Sequence, residues 1–189
     1  MLLSFAGEEQ RAAIVHINSY PGVGKLTIGR ALADLIGGKL LDNHSVFNVA
    51  FALTEFRSPA FYDAVREIRE IAYRRILDLP PAVPVVLTNW YSQGSAWGDE
   101  NWDRSILLAK ERACDLNIVT LHCQPEENAR RIQSPGRGAK RKPQDVAFVK
   151  DNREGRPLLD RGGDRLLNLD VTELSASEAA QKIAAWLAQ

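Results

Sequence analysis

The sequence predicts an α/β layer fold with a mainly parallel sheet, and three observations carry that expectation. Short apolar runs alternate with longer stretches of helical period. The first run, 12–17, is apolar almost throughout, as a strand covered on both faces must be. A glycine-rich turn then joins it to the first helical stretch, a strand–turn–helix order that suits a parallel sheet.

His16 interrupts the first strand, and in a central strand interior it reads as a packed, hydrogen-bonded histidine rather than a catalytic one. Leu26, Ile28, Ala31, Leu32 and Leu35 keep helical spacing up to Gly37-Gly38, a natural stop. A short strand over 39–41 runs into Asp42-Asn43-His44, and Val46, Val49, Ala50, Leu53 and Phe56 mark the next helix. Ser58 before Pro59 is a cap followed by a first-turn proline. From there Phe61, Val65, Ile68, Ala72, Ile76 and Leu79 recur at steps of three or four until Pro80-Pro81. A third strand is expected at 83–87, closing on Thr88-Asn89-Trp90. Trp102, Ile106, Ala109 and Ala113 suggest a helix, and 116–121 a fourth strand. A short helix at 125–132, another at 145–153, a fifth strand at 166–169 and a closing helix at 176–187 complete the order. Trp90, Tyr91, Trp97 and Trp102 are placed in a polar loop, where they could stack on a ring of a ligand or plug the loop onto the core.

At 189 residues the chain has room for one ordinary domain, expected over 1–189. Its 24 basic and 24 acidic side chains cancel, which argues against a protein that coats polyanions through a global cationic excess. Two cysteines, Cys114 and Cys123, are too few for a disulfide scaffold and read as buried, reduced thiols. The opening MLLSFAGEEQ lacks a basic start, and 18 apolar residues never run together, so a soluble cytoplasmic protein is expected, a monomer or homodimer with no membrane partner. The zero sum hides one uneven stretch: from Asn128 to Gln144 there are six basic residues and no acidic one.

The most informative segment is Ser19-Tyr20-Pro21-Gly22-Val23-Gly24-Lys25-Leu26-Thr27, between a predicted strand and a predicted helix. Backbone N–H groups there can wrap a β-phosphate, the helix N-terminus adds partial positive charge, and a lysine reaches the β and γ oxygens. Gly22 and Gly24 let the backbone approach an anion with no Cβ in the way. Two positions depart from the usual G-x-x-x-x-G-K-[ST] string: Ser19 stands for its first glycine, and Leu26 follows the lysine, with Thr27 one place later.

The segment resembles the phosphate loop of the P-loop kinases, in particular the adenylate-kinase-like and small-molecule kinases, whose P-G-x-G-K-G-T also places Thr second after Lys. The match is close over 14–36 and elsewhere rests on the order of elements. The resemblance implies a three-layer P-loop NTPase fold: a five-stranded parallel sheet of order 2-3-1-4-5, helices on both faces and a short lid, here 134–145. It implies ATP and Mg²⁺ as cofactors, with Pro21, Gly22, Val23, Gly24, Lys25, Leu26 and Thr27 around the phosphates. Leucine cannot ligate Mg²⁺, so Thr27 would touch a phosphate oxygen or the ion's water shell. Arg131 would lie near the adenine, bordered by Val171 and Thr172, and Arg137 and Arg141 of the basic lid would neutralise charge developing in transfer.

Phosphoryl transfer also needs an acceptor held in line and a carboxylate to take its proton. Asp42, ending the second strand, is the candidate, with Asn43 and His44 beside it as substrate contacts; the competing reading is a helix cap near Ser45. Asn89 stands where many P-loop proteins carry an acidic residue, and its amide can position a substrate oxygen or water without bringing anionic charge. Trp90 and Arg57 complete the substrate-side candidates. The expected activity is transfer of the γ-phosphoryl group of ATP to a hydroxyl or phosphate of a small molecule or nucleotide. Leu26 and Asn89 leave open a nucleotide sensor without catalysis, and the basic block leaves open a polynucleotide 5′-kinase. No N-K-x-D guanine motif supports a GTPase.

Overall fold

The computed structural model describes residues 13–134 and 155–189. In chain order they form β1 (Ala13–Asn18), α1 (Lys25–Leu35), β2 (Lys39–Asp42), α2 (Asn43–Leu53), α3 (Pro59–Leu77), β3 (Val85–Asn89), α4 (Ala96–Glu111), β4 (Asp115–His122), α5 (Pro125–Ile132), β5 (Arg165–Asp170) and α6 (Ala176–Leu187). All strands are parallel in the order β2-β3-β1-β4-β5, the topology expected above. The expected helix at 145–153 and most of the expected lid, with Arg137 and Arg141, lie outside the described residues.

β1 is central, and its side chains alternate between two cores. Val15 and Ile17 meet Leu32 of α1 and Ile183 of α6 on one face. On the other, Ile14 joins Tyr73 and Ile76 of α3, Trp102 and Leu108 of α4, and Leu87 and Ile118 of the flanking strands. A third cluster, Val46 and Ala50 against Phe61 and Val65, seats α2 on α3 at the carboxyl end of β2. Among the described residues no helix is long and apolar enough to cross a membrane.

Capping chemistry holds where the sequence signalled it. Ser58 Oγ accepts from Phe61 N at 3.1 Å, with Pro59 in the first turn of α3. Beyond that signal, Ser175 with Glu178 closes a reciprocal capping box on α6. The C-terminal end of α3 is held by Arg112, which donates to the carbonyls of Ile76, Leu79, Pro80 and Val83.

Three elements differ from expectation. β3 begins at Val85 rather than 83, because Pro84 has no N–H to donate, and it continues through Thr88 and Asn89, paired with Ile17 and Asn18. α4 starts at Ala96, capped by Ser95 Oγ on Gly98 N, so the helix expected from Trp102 onward begins earlier and takes in Trp97 rather than leaving it in the loop. Trp102 is fully buried and donates Nε1–H to the Gly162 carbonyl at 3.0 Å, a core role. The buried stripe of α3 runs Phe61, Val65, Arg69, Tyr73 and Ile76, so it includes an arginine where periodicity alone had pointed to Ile68 and Ala72. Cys123 is buried, but Cys114 is half-buried, and burial pushes its thiol up.

His16 lies in the second core with no exposed surface, its ring centroid 5.0 Å from that of Trp102 and 5.6 Å from that of Tyr91. Burial pulls its imidazole down from 6.5 to about 4. Between those values the unfolded chain binds a proton that the folded chain refuses. The His16 contribution is therefore full above pH 6.5 and is lost as pH falls to 4, an amount of about 3 kcal/mol. Denaturant titrations across pH 7 to 4 should show that loss, and His16→Gln should flatten it.

Candidate functional site

The site gathers at the carboxyl edge of the sheet, where β1 hands the chain to α1. Asn18, fully buried, ends the strand and fixes this edge: its Nδ2 donates to the carbonyls of Tyr91 and Leu159, both at 3.1 Å, and its Oδ1 accepts from Tyr91 N at 2.9 Å. Ser19 N donates to the Asn89 carbonyl at 3.2 Å, so the loop departs directly over β3. Gly22 and Gly24 then take φ of 92° and 114°, the left-handed region where a side chain is strained, and Gly24 is the N-cap of α1. The first turn of α1 leaves N–H groups without intrahelical partners, the donors an anion needs.

A fitted clamp braces this loop from outside. Asn128 of α5 donates Nδ2–H to the Pro21 carbonyl at 3.0 Å, and Arg131 donates Nη1–H to the Val23 carbonyl at 2.8 Å. A Cβ built on Gly22 would stand 2.5 Å from both Asn128 Nδ2 and Ile132 Cγ1, so the loop and α5 touch with no room for one more carbon. Lys25 lies back across the loop, its Nζ donating to the carbonyls of Ser19 at 3.2 Å and Tyr20 at 3.3 Å. Two glycines in the left-handed region, a lysine over the loop and a helix N-terminus fit a polyphosphate. Thr27 is exposed on the first turn, and the described residues contain no cluster of three His, Cys, Asp or Glu that could hold a metal ion.

Arg131 ties three segments together. Its Nη2 donates to the Val171 and Thr172 carbonyls at 2.9 and 3.0 Å, and its Nε to Glu127 at 2.5 Å, so the loop after β5 is bound to the phosphate loop through one guanidinium. Arg130 first and Arg131 second hold the Glu127 carboxyl down at about 2. Val171 is fully buried, and only its backbone faces this junction. The Asp170 carboxyl accepts from both the hydroxyl and the amide of Thr172 and is lowered by them, which shapes the turn.

On the opposite side, Asp42 sits at the N-cap position of α2 but makes no capping bond. Its Oδ1 instead accepts from Thr88 Oγ1 at 2.6 Å, and the residue is 7% exposed, which fixes the carboxylate at the sheet edge. Beside it opens a cavity of about 20 Å³ lined by Leu41, Asn43, Val46, Phe47, Arg69 and Asn89 among others. Asn89 is oriented by a 3.2 Å bond between its Nδ2 and His16 Nε2. That bond makes the neutral imidazole an acceptor through Nε2. Asn43 and Asn89 thus come together with Asp42. Trp90 packs against the α1–α6 core, and Arg57 stands in the loop after α2 with its guanidinium 5.1 Å from the Phe56 ring centre, away from the cavity lining. Sequence reasoning missed Arg69, Asn101, Asn128 and Asn18. Only Arg69 left a readable signal, a charge on the apolar stripe of α3.

No protein-family model matches the chain, and no curated protein matches it in sequence. Solved structures do match in fold. A protein of Chloroflexus aurantiacus superposes with a TM-score of 0.67 at 20% identity, covering 96% of this chain and 98% of that one. A gluconokinase from Sinorhizobium meliloti gives 0.59 at 18%, covering 96% and 94%. The Mycobacterium tuberculosis APS kinase CysC, solved with AMPPNP and APS, gives 0.57 at 14%, covering 95% and 99%. The chain has the fold of P-loop small-molecule kinases. Gly22→Ala should cost about 1–3 kcal/mol of stability, seen as a lowered Tm, and should abolish ATP-induced stabilisation, because the added carbon meets α5 at a backbone angle that strains it.

Proposed function

We propose that this protein of P-loop kinase fold is an ATP-dependent phosphotransferase that moves the γ-phosphoryl group to a hydroxyl of a small molecule. The observation that carries the reading is the placement of the Asp42 carboxylate, uncommitted to its helix, at the end of β2 between two cavity-lining residues, Leu41 and Asn43, on the same sheet edge as the glycine loop and Lys25.

The loop amides and Lys25 bind and orient the phosphates; on nucleotide binding the Nζ exchanges its two carbonyl partners for phosphate oxygens, a stronger charge-assisted bond. Asp42 receives the proton of the acceptor hydroxyl as its oxygen forms a bond to the γ-phosphorus and the bond to the β–γ bridging oxygen breaks, releasing ADP. Thr88 keeps the carboxylate aimed by donating to one of its oxygens, leaving the other for the acceptor. Mg²⁺, when bound with ATP, would neutralise phosphate charge; Thr27 is the hydroxyl of this chain nearest in sequence to the lysine and would meet the ion's water shell. Arg137 and Arg141 are assigned to the transferring phosphate, and Arg131 to the adenine side through the loop it braces.

Transfer from labelled ATP to pooled nucleosides, sugars, polyols, hydroxy acids and aminoglycosides tests this reading. Asp42→Asn should lower kcat by about a hundredfold or more with ATP affinity unchanged. Lys25→Ala should remove the ATP-induced rise in Tm. Nucleotide binding without transfer across the panel would leave a sensor in place of an enzyme, the outcome that Leu26 and Asn89 favour. Oligonucleotide affinity falling steeply with salt would point instead to a polynucleotide kinase.

A further inference from the structure

Asp42 lies at the end of β2 and the glycine loop at the end of β1, on the two sides of β3 in the order β2-β3-β1-β4-β5. A triphosphate that turns its γ-phosphate toward Asp42 therefore carries its nucleoside the other way, over the ends of β4 and β5. This rests on the kinase reading, which sets that direction. The turn 170–173 follows β5 on that side, and Arg131 ties it to the glycine loop by bonding the Val23, Val171 and Thr172 carbonyls. The base of the nucleotide would meet this turn.

The polar groups of the turn are largely engaged within the protein. Val171 N donates to the His122 carbonyl at 2.8 Å, and Thr172 N to Asp170 Oδ1 at 2.8 Å. The Thr172 hydroxyl donates to the same carboxylate at 2.5 Å and accepts from Gln124 N at 2.9 Å. The Val171 carbonyl takes Arg131 Nη2 at 2.9 Å and Leu174 N at 3.4 Å, while its side chain is fully buried. Arg131 itself is engaged through Nε on Glu127 and through both Nη groups on carbonyls. Beyond its bond to Arg131, the Thr172 carbonyl keeps one lone pair, and the exposed Glu173 adds a carboxylate. Both of these only accept. Adenine, guanine, cytosine and uracil each carry an N–H on the pairing edge, so an acceptor alone serves all four. Telling bases apart takes a hydrogen-bond donor and an acceptor side by side. The two amides that would supply that donor, Val171 and Thr172, are turned to His122 and Asp170.

We propose that this site does not read the base: the phosphoryl donor is a nucleoside 5′-triphosphate of any base, selected through its phosphates by the loop amides and Lys25. Val171 and Thr172 border the base and leave it unread. Stacking, which every base offers through its ring face, tolerates all four.

Calorimetry on the full chain with Mg²⁺ tests this with ATP, GTP, CTP and UTP, and with tripolyphosphate as the probe that lacks a base. A bidentate contact to a base separates right from wrong by roughly tenfold to a hundredfold. The four dissociation constants should instead fall within about tenfold of one another, and tripolyphosphate should displace ATP. Arg131→Met, which releases the turn and the loop together, should weaken all four triphosphates by one common factor. A preference for one base beyond about tenfold, tripolyphosphate that leaves ATP bound, or a loss in Arg131→Met confined to ATP overturns the proposal. The comparison of the four nucleotides needs no variant, so poor folding of Arg131→Met does not block it. A strong preference for ATP with transfer intact removes this inference and leaves the kinase. Equal binding of the four triphosphates without transfer to any acceptor leaves the base-blind site and removes the kinase. Binding of no triphosphate overturns both.

Discussion

The burial of β1 is the constraint on which the rest depends. A strand paired on both edges and covered on both faces has every backbone group committed and every side chain from Ile14 to Asn18 out of water. Such a strand cannot shift register, so the chain leaves it at one place and in one direction. Asn18 makes that exit rigid by filling its amide with three backbone bonds to the segments around Tyr91 and Leu159. The glycine loop, the first turn of α1 and the Asn89 carbonyl are placed by this one boundary.

A loop with two glycines in the left-handed region would be floppy if left alone, because the residues that permit its shape also permit others. Here α5 removes that freedom from outside. Asn128 and Arg131 take two of the loop's carbonyls and Ile132 closes on Gly22. With the Pro21 and Val23 carbonyls already bonded to α5, the loop would present its N–H groups to an anion at low reorganisation cost, which is preorganisation in the sense that matters for binding charge. Through Arg131 the same helix also holds the turn after β5, so the two ends of a bound nucleotide would rest on one brace.

The two sides of the site use charge differently. The glycine-loop side collects positive groups near the helix N-terminus, while the cavity next to Asp42 mixes amides and a buried arginine against apolar walls. Zero net charge over the chain is compatible with both, since the basic stretch after Asn128 is balanced by acidic residues spread elsewhere. His16 belongs to this second side: as a neutral acceptor it holds the Asn89 amide at the cavity rim, which turns a strand-interior histidine into a support for the site.

Much of this was legible in the residues. Alternating apolar runs and helical periods specify layers, because each element must bury one face, and the Pro21-Gly22-Val23-Gly24-Lys25 turn between strand and helix has few uses other than binding phosphate. The Ser58-Pro59 cap is local, so it reads directly. Contacts between distant segments were not legible. Nothing near Arg69 announces Asn101 on another helix, and nothing near Gly22 announces Asn128; these pairs exist because the sheet brings α3 to α4 and α5 to the loop. Asp42 shows the division most clearly. Its place at a strand end before a helix allowed a cap or a catalytic base, and only folding, which set Thr88 beside it on the neighbouring strand, drew the carboxylate off the helix and onto the Thr88 hydroxyl.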